Sequence, residues 1–159
     1  MIRLMNEQLD RLVETAGTSP RRRMNYNIHP SPEARVQRFF NAFESDTYVR
    51  PHRHAEPERF ELFLCIRGRG AAIVFDEGGT ITDTATLSTE GECIGIEIPP
   101  NTWHTIISLT PGSIFFEVKE GPYRPLSDKE FAKWSPEPGA PEQDDYLRGL
   151  KRVVAAAAR

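Results

Sequence analysis

The sequence has few cysteines and no long apolar stretch, and both absences narrow the classes of protein it can encode. Only two of its 159 residues are cysteine, Cys65 and Cys93. Both lie in apolar, strand-like runs, so we expect reduced core thiols, with contact to a metal as the alternative. No run approaches the roughly 20 apolar residues of a membrane span, and the N-terminus lacks the apolar segment of a signal peptide. We therefore expect a cytoplasmic protein without membrane association.

An excess of basic residues is also missing. The formal net charge is −3 at pH 7, and the one basic cluster, Arg21–Arg23, is too short to form a nucleic-acid surface. We expect no nucleic-acid partner. The length suits one domain with short additions, and 13 prolines and 11 glycines favour a β-rich fold with many turns.

The chain divides into three segments by pattern. Apolar residues at helical spacing predict a helix over residues 4–16, with Gly17 able to end it, followed by an irregular stretch over residues 18–32. From residue 36 to 119, short apolar runs alternate with turns, which indicates about eight strands in a sandwich, jelly roll or small barrel. The predicted strands are Val36–Phe43, Tyr48–His54, Phe60–Ile66, Ala71–Phe75, Thr80–Leu87, Cys93–Ile98, His104–Leu109 and Ser113–Lys119.

The last segment is predicted to be helical. Ser127–Glu130 has the pattern of a capping box for a short helix, residues 135–141 form a proline-rich link, and a second helix runs from Pro141 to the end. Its apolar side consists of Tyr146, Leu147, Leu150, Val153 and Val154, and it could cover its own barrel or a second subunit. We expect residues 1–35 to be a helix and arm, residues 36–121 a barrel, and residues 122–159 a helical extension.

Three of the four histidines are placed to share one site. His52 and His54 are two residues apart, so on a strand both imidazoles project from one face. The next predicted strand begins at Phe60, so Glu61 runs back beside them, and His104 follows a proline turn at the start of a later strand. Three imidazoles and one carboxylate suit a divalent Fe, Mn, Ni, Co or Zn ion and leave one or two coordination positions open.

These residues resemble the two signature motifs of the cupin superfamily, Pro51–His54 with Glu61 ahead of Gly68, and Pro99–His104. The resemblance implies a double-stranded β-helix, or jelly-roll, barrel whose metal is held by His52, His54, Glu61 and His104. The match is closer to one branch of the superfamily, because the sequence resembles the WbuC-type cupin-fold metalloproteins over about residues 8–135. The segments that carry it are Ser19–Arg23, Asn27–Pro30, Val36–Arg38, Tyr48–His54, Glu97–Pro100, Trp103–His104 and Phe116–Tyr123.

The sequence departs from the general cupin pattern at two positions. The usual spacing from the second histidine selects Glu58, whereas the spacing to the following glycine selects Glu61. We favour Glu61, because Phe60–Leu64 is strand-like and Glu58 lies in a turn beside Pro57. Asn101 stands where most cupins have glycine, and asparagine tolerates the left-handed conformation that such a turn can need.

Arg50, Tyr48 and His29 are candidate catalytic residues. Alternation points Arg50 inward, where it could bind a carboxylate or phosphate, or pair with a neighbouring acid. Tyr48 could line the mouth of the pocket or belong to the core. His29 lies in an arm that could cover the metal and contribute His29 or Asn27, or could simply rest on the barrel. Trp103 is assigned to packing.

The resemblance implies a metal-dependent enzyme that acts on a small carbohydrate or sugar nucleotide in polysaccharide metabolism, in an isomerase- or epimerase-like reaction. The alternatives are a non-haem-iron type dioxygenase, a metal-loaded binding module for a small anion or sugar, and a metal that only braces the fold. Many cupins pair, so a homodimer is expected. Glu117 and Lys119 share a face of the last predicted strand and could pair with each other, which by itself predicts no site role.

Overall fold

The computed structural model describes residues 1–124 and 130–157, which form ten strands and two helices. The helices are α1 (Asn6–Thr18) and α2 (Gln143–Ala157). The strands are β1 (Arg23–Asn27), β2 (Val36–Phe43), β3 (His52–Arg53), β4 (Glu61–Arg67), β5 (Arg69–Phe75), β6 (Ile81–Ser88), β7 (Gly95–Ile98), β8 (Trp103–Ser108), β9 (Ser113–Glu120) and β10 (Glu130–Phe131). They make two antiparallel sheets, the first in the order β1-β2-β9-β4-β7 and the second in the order β10-β3-β8-β5-β6. This architecture confirms the predicted jelly-roll barrel.

The two sheets meet over an apolar core inside the barrel. Because side chains alternate along a strand, every second residue of each sheet points into it. The buried members of this interior core are Phe43, Phe63, Cys65, Ala72, Leu87, Ile98, Ile106 and Phe115. Cys65 and Cys93 are free thiols, as predicted, and burial raises the pKa of Cys65.

Each helix covers the outer face of one sheet. Helix α1 buries Leu9, Leu12 and Ala16 against the first sheet. Helix α2 buries Leu147, Leu150 and Val154 against the second. The last helix therefore covers its own barrel, which was one of the two predicted placements. Val153, predicted to share its apolar side, is instead 41% exposed.

The first helix is displaced from its predicted bounds. It begins at Asn6 because the Gln8 side chain accepts a hydrogen bond from the Met5 backbone N–H, as in half of a capping box. Leu4 and Met5 precede the helix and are exposed. Gly17 lies within it, and the helix ends at Thr18.

The prediction of an irregular stretch over residues 18–32 is wrong for β1. Arg23–Asn27 pairs along its whole length with β2. The strand lies at the edge of the first sheet, and its residues are exposed or half-buried. Neither face of the strand is buried, so it lacks the apolar alternation from which strands are recognised. Backbone hydrogen bonds to β2 hold it in place.

Two other predictions change around β3. Only His52–Arg53 of the predicted strand Tyr48–His54 is regular, so alternation does not extend back from His52. The predicted Ser127–Glu130 helix falls largely on residues 125–129, which lie outside the described residues, and Glu130–Phe131 forms β10, paired with β3.

No helix within residues 1–124 and 130–157 is long and apolar enough to cross a membrane.

Candidate metal centre

The three histidines of the predicted site converge inside the barrel from neighbouring parts of the second sheet. His52 on β3 is the register partner of His104 on β8, and their ring centroids are 4.4 Å apart. His54 directly follows β3, and its carbonyl accepts a hydrogen bond from the Asn101 N–H at 3.0 Å. Asn101 has a φ of 56°, the left-handed conformation anticipated from its replacement of glycine. The proline turn thus ties the strand of His104 to His54.

Backbone carbonyls orient two of these rings. Nδ1 of His52 is 3.0 Å from the Arg50 carbonyl oxygen, and Nδ1 of His104 is 2.8 Å from that of Thr102. A carbonyl can only accept, so each Nδ1 donates. In the neutral ring this leaves the lone pair on Nε2, the arrangement that a metal-ligating histidine requires.

Glu61 faces the histidines from the opposite sheet. Its Oε2 lies 2.9 Å from Nε2 of His104 and 3.9 Å from Nε2 of His52, and its Oε1 lies 3.0 Å from Nε2 of His54. Glu61 is only 1% exposed. Glu58, the alternative glutamate, is exposed on the preceding turn. The structure therefore brings Glu61, and not Glu58, to the three imidazoles.

The donor set fits a metal ion. One ligand atom from each of His52, His54, Glu61 and His104 can be chosen so that all lie within 4.8 Å of one another, and all four residues are buried. The neutral His104 ring presents a lone pair to a carboxylate oxygen at 2.9 Å, which is repulsive unless a proton or a metal cation lies between them. Nitrogen and oxygen donors of this kind suit divalent Fe, Mn, Ni, Co or Zn. Neither cysteine belongs to the group.

A buried polar chain extends from Glu61 along the inner face of the first sheet. The Lys119 ammonium lies 3.3 Å from Glu61 Oε1 and 3.8 Å from Glu117 Oε1. Asn41 Nδ2 donates to Glu117 Oε2 at 2.8 Å. The predicted pairing of Glu117 with Lys119 is confirmed, but sequence reasoning missed the contact of Lys119 with Glu61. The sequence did offer a signal for this contact, because Glu117 and Lys119 are charged residues at alternate positions of a largely apolar strand.

Arg59 is a second buried cation at this end of the barrel. It directly precedes Phe60 and stands two residues before Glu61, and it is 4% exposed. Sequence reasoning placed the neighbouring Glu58 in a turn and gave Arg59 no role. An arginine is rarely buried to this extent without a charged or hydrogen-bonded partner.

Arg50 contacts the segment that leads to α2. Its Nη2 donates to the Ala132 carbonyl oxygen at 3.0 Å, and its Nη1 lies 3.6 Å from Glu137 Oε1. Its guanidinium also stands 5.6 Å from the centroid of the Phe131 ring. Of the two predicted roles, these contacts match the ion pair with a neighbouring acid.

Tyr48 is a core residue by its contacts. It is 4% exposed, its hydroxyl donates to the Pro136 carbonyl oxygen at 2.8 Å, and its ring meets Tyr146 edge-on at 6.2 Å. Burial raises the pKa of Tyr48. Because the chain before His52 is irregular, Tyr48 and Arg50 do not follow the alternation that predicted a shared face with the histidines.

His29 stands beside β2. Its Nδ1 is 3.0 Å from the Arg38 backbone N–H nitrogen, and its ring meets Phe39 edge-on at 6.0 Å. The Phe39 ring in turn lies 6.0 Å from the Lys119 ammonium. The arm therefore rests on the barrel, and one aromatic ring separates His29 from the polar chain.

Arg53, between the two histidines of the first motif, faces away from them. Its guanidinium stacks over the Trp103 ring at 4.3 Å and contacts Glu77 at 2.8 Å and Glu130 at 2.9 Å. The Trp103 indole N–H also donates to Glu77 at 3.0 Å. This network joins β3, β8, β10 and the turn after β5, which supports the positions of His52 and His104. The packing role predicted for Trp103 is confirmed.

Comparison with solved structures defines the class of fold. The barrel is similar to KdgF from Halomonas sp. at 16% identity and a TM-score of 0.51, over 69% of this chain and 86% of that one. It is similar to a cupin 2 conserved barrel domain protein from Rhodopseudomonas palustris at 16% identity and a TM-score of 0.50, over 84% and 77%. The capsular polysaccharide assembling protein CapF from Staphylococcus aureus matches at 18% identity and a TM-score of 0.52, over 67% of this chain and 28% of CapF. The fold is that of a cupin barrel with a buried group of three histidines and a glutamate.

The sequence also matches a family model. Residues 4–87, more than half of the chain, match the family described as Domain of unknown function (DUF6016), and the chain belongs to that family. The matched region contains His52, His54 and Glu61 and ends before His104. No curated protein matches the chain.

Proposed function

We propose that this chain is a cytoplasmic, metal-dependent enzyme of the WbuC type that acts on a small carbohydrate or sugar nucleotide in polysaccharide metabolism. The observation that carries the proposal is the buried group of His52, His54, Glu61 and His104, whose ligand atoms lie within 4.8 Å of one another. Structural metal sites usually use all four positions of a tetrahedral ion, whereas these donors suit ions that accept further ligands.

The residues of the site would have two roles, metal binding and orientation of the metal ligands. His52, His54, Glu61 and His104 would hold a divalent ion, which would act as a Lewis acid toward an oxygen of the substrate. The Arg50 and Thr102 carbonyls hold Nδ1 of His52 and His104, so both Nε2 atoms keep their direction. The interior location excludes bulk water, which strengthens every charge interaction at the site.

The substrate class rests on two supports. The sequence motifs resemble WbuC-type proteins, and CapF, which shares the fold, is a capsular polysaccharide assembling protein. An isomerase- or epimerase-like reaction fits a Lewis-acid site that polarises a carbonyl or hydroxyl oxygen. A non-haem-iron type dioxygenase would use the same donors, and oxygen consumption by the iron-loaded protein distinguishes the two reactions.

The test combines metal analysis with turnover. Purified protein is loaded with Zn²⁺, Fe²⁺, Mn²⁺, Ni²⁺ or Co²⁺, and the bound metal is measured by elemental analysis. Each form is then incubated with a panel of nucleotide sugars and followed by chromatography and mass spectrometry. We expect one metal per chain, together with turnover that His52→Ala abolishes and Glu58→Ala retains. An intact protein that binds none of these metals would refute the proposal.

A non-catalytic binding module is the second candidate. One observation favours it: Glu117, an acidic group of the interior beside the site, already accepts a hydrogen bond from Asn41 and lies near Lys119. It is therefore engaged rather than poised as a general acid or base. Stoichiometric metal, with ligand binding but no turnover across the panel, would support this candidate over the enzyme.

The proposal includes a homodimer. Phe131 on β10 and Val153 on α2 remain 47% and 41% exposed and offer apolar surface to a second copy. Light scattering coupled to size exclusion tests this part separately, and a monomer at all concentrations would contradict it.

A further inference from the structure

The backbone carbonyl that orients His52 belongs to Arg50, which precedes the regular part of its strand. Nδ1 of His52 is 3.0 Å from this oxygen. Strand β3 begins at His52, so Arg50 lies before the hydrogen-bonded ladder of the sheet. A carbonyl fixes a metal-ligating ring only as firmly as its own peptide is fixed. The position of the Arg50 carbonyl must therefore be set by contacts other than the ladder.

Ala132 contacts the chain on both sides of that carbonyl. Its backbone N–H donates to the Pro51 carbonyl oxygen at 2.9 Å, and its own carbonyl oxygen accepts a hydrogen bond from Nη2 of Arg50 at 3.0 Å. The Arg50 carbonyl lies between these two hydrogen bonds, since it joins Arg50 to Pro51. Ala132 is fully buried, so water does not compete for either bond. One residue thus holds the peptide that orients His52.

Ser135 and Glu137 contact the guanidinium that reaches Ala132. Ser135 Oγ donates to the Ala132 carbonyl oxygen at 2.9 Å and accepts a hydrogen bond from Nε of Arg50 at 3.4 Å. Glu137 Oε1 lies 3.6 Å from Nη1, but the Glu137 side chain is 79% exposed. An exposed ion pair contributes little. The guanidinium is therefore held mainly by its hydrogen bonds to buried partners.

The two segments also contact each other on either side of Arg50. Phe131 on β10 is the register partner of His52, and their ring centroids are 6.2 Å apart. At the other end, the Tyr48 hydroxyl donates to the Pro136 carbonyl oxygen at 2.8 Å. A substitution of Arg50 would loosen the middle of this contact and leave both ends joined. We therefore expect such variants to fold.

We propose that Arg50 is a positioning residue of the metal centre, whose guanidinium fixes the Arg50 carbonyl through Ala132 and thereby fixes the direction of the His52 ring. The inference rests on the proposed metal centre and deepens it, because it gives the segment before α2 control over one metal ligand. Changes to residues that support ligating histidines reduce metal affinity by about 10–100-fold. The carbonyl itself remains in any variant, so the lower end, about tenfold, is expected.

The sign of the effect separates positioning from a direct effect of charge. Arg50 is a cation two residues from His52, and removing a cation reduces the repulsion felt by a metal ion. Charge alone would therefore make metal binding tighter in a variant that lacks the guanidinium. Loss of ring orientation would make it weaker. A weaker affinity is thus opposite to the electrostatic expectation.

The test measures Co²⁺ binding and the NMR spectrum of the Zn²⁺-loaded protein, neither of which depends on enzyme activity. Arg50→Met removes the guanidinium and keeps an apolar side chain, and Arg50→Lys keeps the charge without the planar fork of N–H donors. Glu137→Gln removes only the exposed ion pair. Arg67→Met is the matched control, since Nη1 of Arg67 forms an ion pair with Asp10 at 2.7 Å on the other sheet. Circular dichroism checks that each variant is folded.

We expect Arg50→Met and Arg50→Lys to raise the Co²⁺ dissociation constant about tenfold and to change the visible Co²⁺ absorption. Glu137→Gln and Arg67→Met should match the parent. In the Zn²⁺-loaded parent, the Nδ1 protons of His52 and His104 are each donated to a backbone carbonyl and should give separate downfield NMR signals. Substitution of Arg50 should shift or broaden the His52 signal and leave that of His104 as an internal reference.

The possible contrary results differ in what they leave standing. Unchanged Co²⁺ affinity and an unchanged His52 signal in Arg50→Met would refute the role of Arg50 and leave the metal centre intact. Parent-like behaviour of Arg50→Lys would also refute it, because charge without the fork would then suffice; this variant decides the question if the methionine variant fails to fold. Metal binding without turnover would contradict the proposed enzyme but not this inference. A parent protein that takes up no metal would refute both.

Discussion

Replacing Glu61 with alanine tests the centre most directly, because Glu61 connects the histidines to the polar chain. Its carboxylate lies within 3.3 Å of His54, His104 and Lys119 and is 1% exposed. Removing one partner of a buried ion pair costs about 3–5 kcal/mol. Lys119 keeps Glu117 at 3.8 Å, so we expect the lower end, about 3 kcal/mol. At roughly 2–4 °C per kcal/mol for a chain of this size, the melting temperature of the metal-free protein should fall by about 6–12 °C.

The loss of metal should be larger than the loss of stability. Changes to residues that only support a ligand reduce metal affinity by about 10–100-fold. Loss of a direct ligand should therefore exceed about a hundredfold and leave Glu61→Ala without metal after dialysis. Elemental analysis measures this, and circular dichroism gives the melting temperature. Glu58→Ala is the matched control, since Glu58 is exposed and its substitution should change stability by less than about 0.5 kcal/mol. Metal retained by Glu61→Ala and lost by Glu58→Ala would refute the assignment.

Three further predictions concern the barrel and its turns. Phe115→Ala removes a fully buried ring from the interior core and should cost about 3–5 kcal/mol by chemical denaturation; a cost below about 1 kcal/mol would contradict the core assignment. Asn101→Val should cost about 1–2 kcal/mol because φ is 56°, whereas Asn101→Gly should be nearly neutral in the same assay. Burial raises the pKa of Tyr146, so its stabilising contribution is full below the ordinary pKa of about 10 and is lost as the pH rises above it. Tyr146→Phe should therefore flatten the decline in stability above pH 10, and an unchanged decline would contradict this.

The strands of the barrel interior were the most predictable part of the fold. Val36–Phe43 was predicted with its observed bounds, and β4 to β9 lie within about two residues of their predicted positions. These strands are apolar runs bounded by turns, and β8 buries all six of its residues, so the sequence displays them as distinct segments. Strands β1 and β10 were missed because one lies at an exposed edge and the other has only two residues. Their stability comes from backbone pairing, which leaves no pattern in the side chains.

The meeting of His52, His54, Glu61 and His104 followed from spacing and from the resemblance, but the surroundings did not. Tyr48 and Arg50 were placed by an alternation that holds only where the strand is regular, and the strand is regular only at His52–Arg53. Neither their contacts with residues 132–137 nor the burial of Arg59 has a local signal. Such contacts are made between segments far apart in sequence, and one sequence alone carries no record of them.

Lys119 shows why the polar chain beside Glu61 could be identified only from the structure. On sequence grounds Lys119 and Glu117 could only be paired with each other, since both lie on one strand. The register of β4 against β9 sets Glu61 opposite Lys119, 58 residues away, and the register of β3 against β8 sets His52 opposite His104. The polar chain belongs to the first sheet and the paired histidines to the second, so the site forms only when the two sheets face each other. A metal ion held by this group would join the two halves of the barrel, and its binding free energy would add directly to the free energy of unfolding.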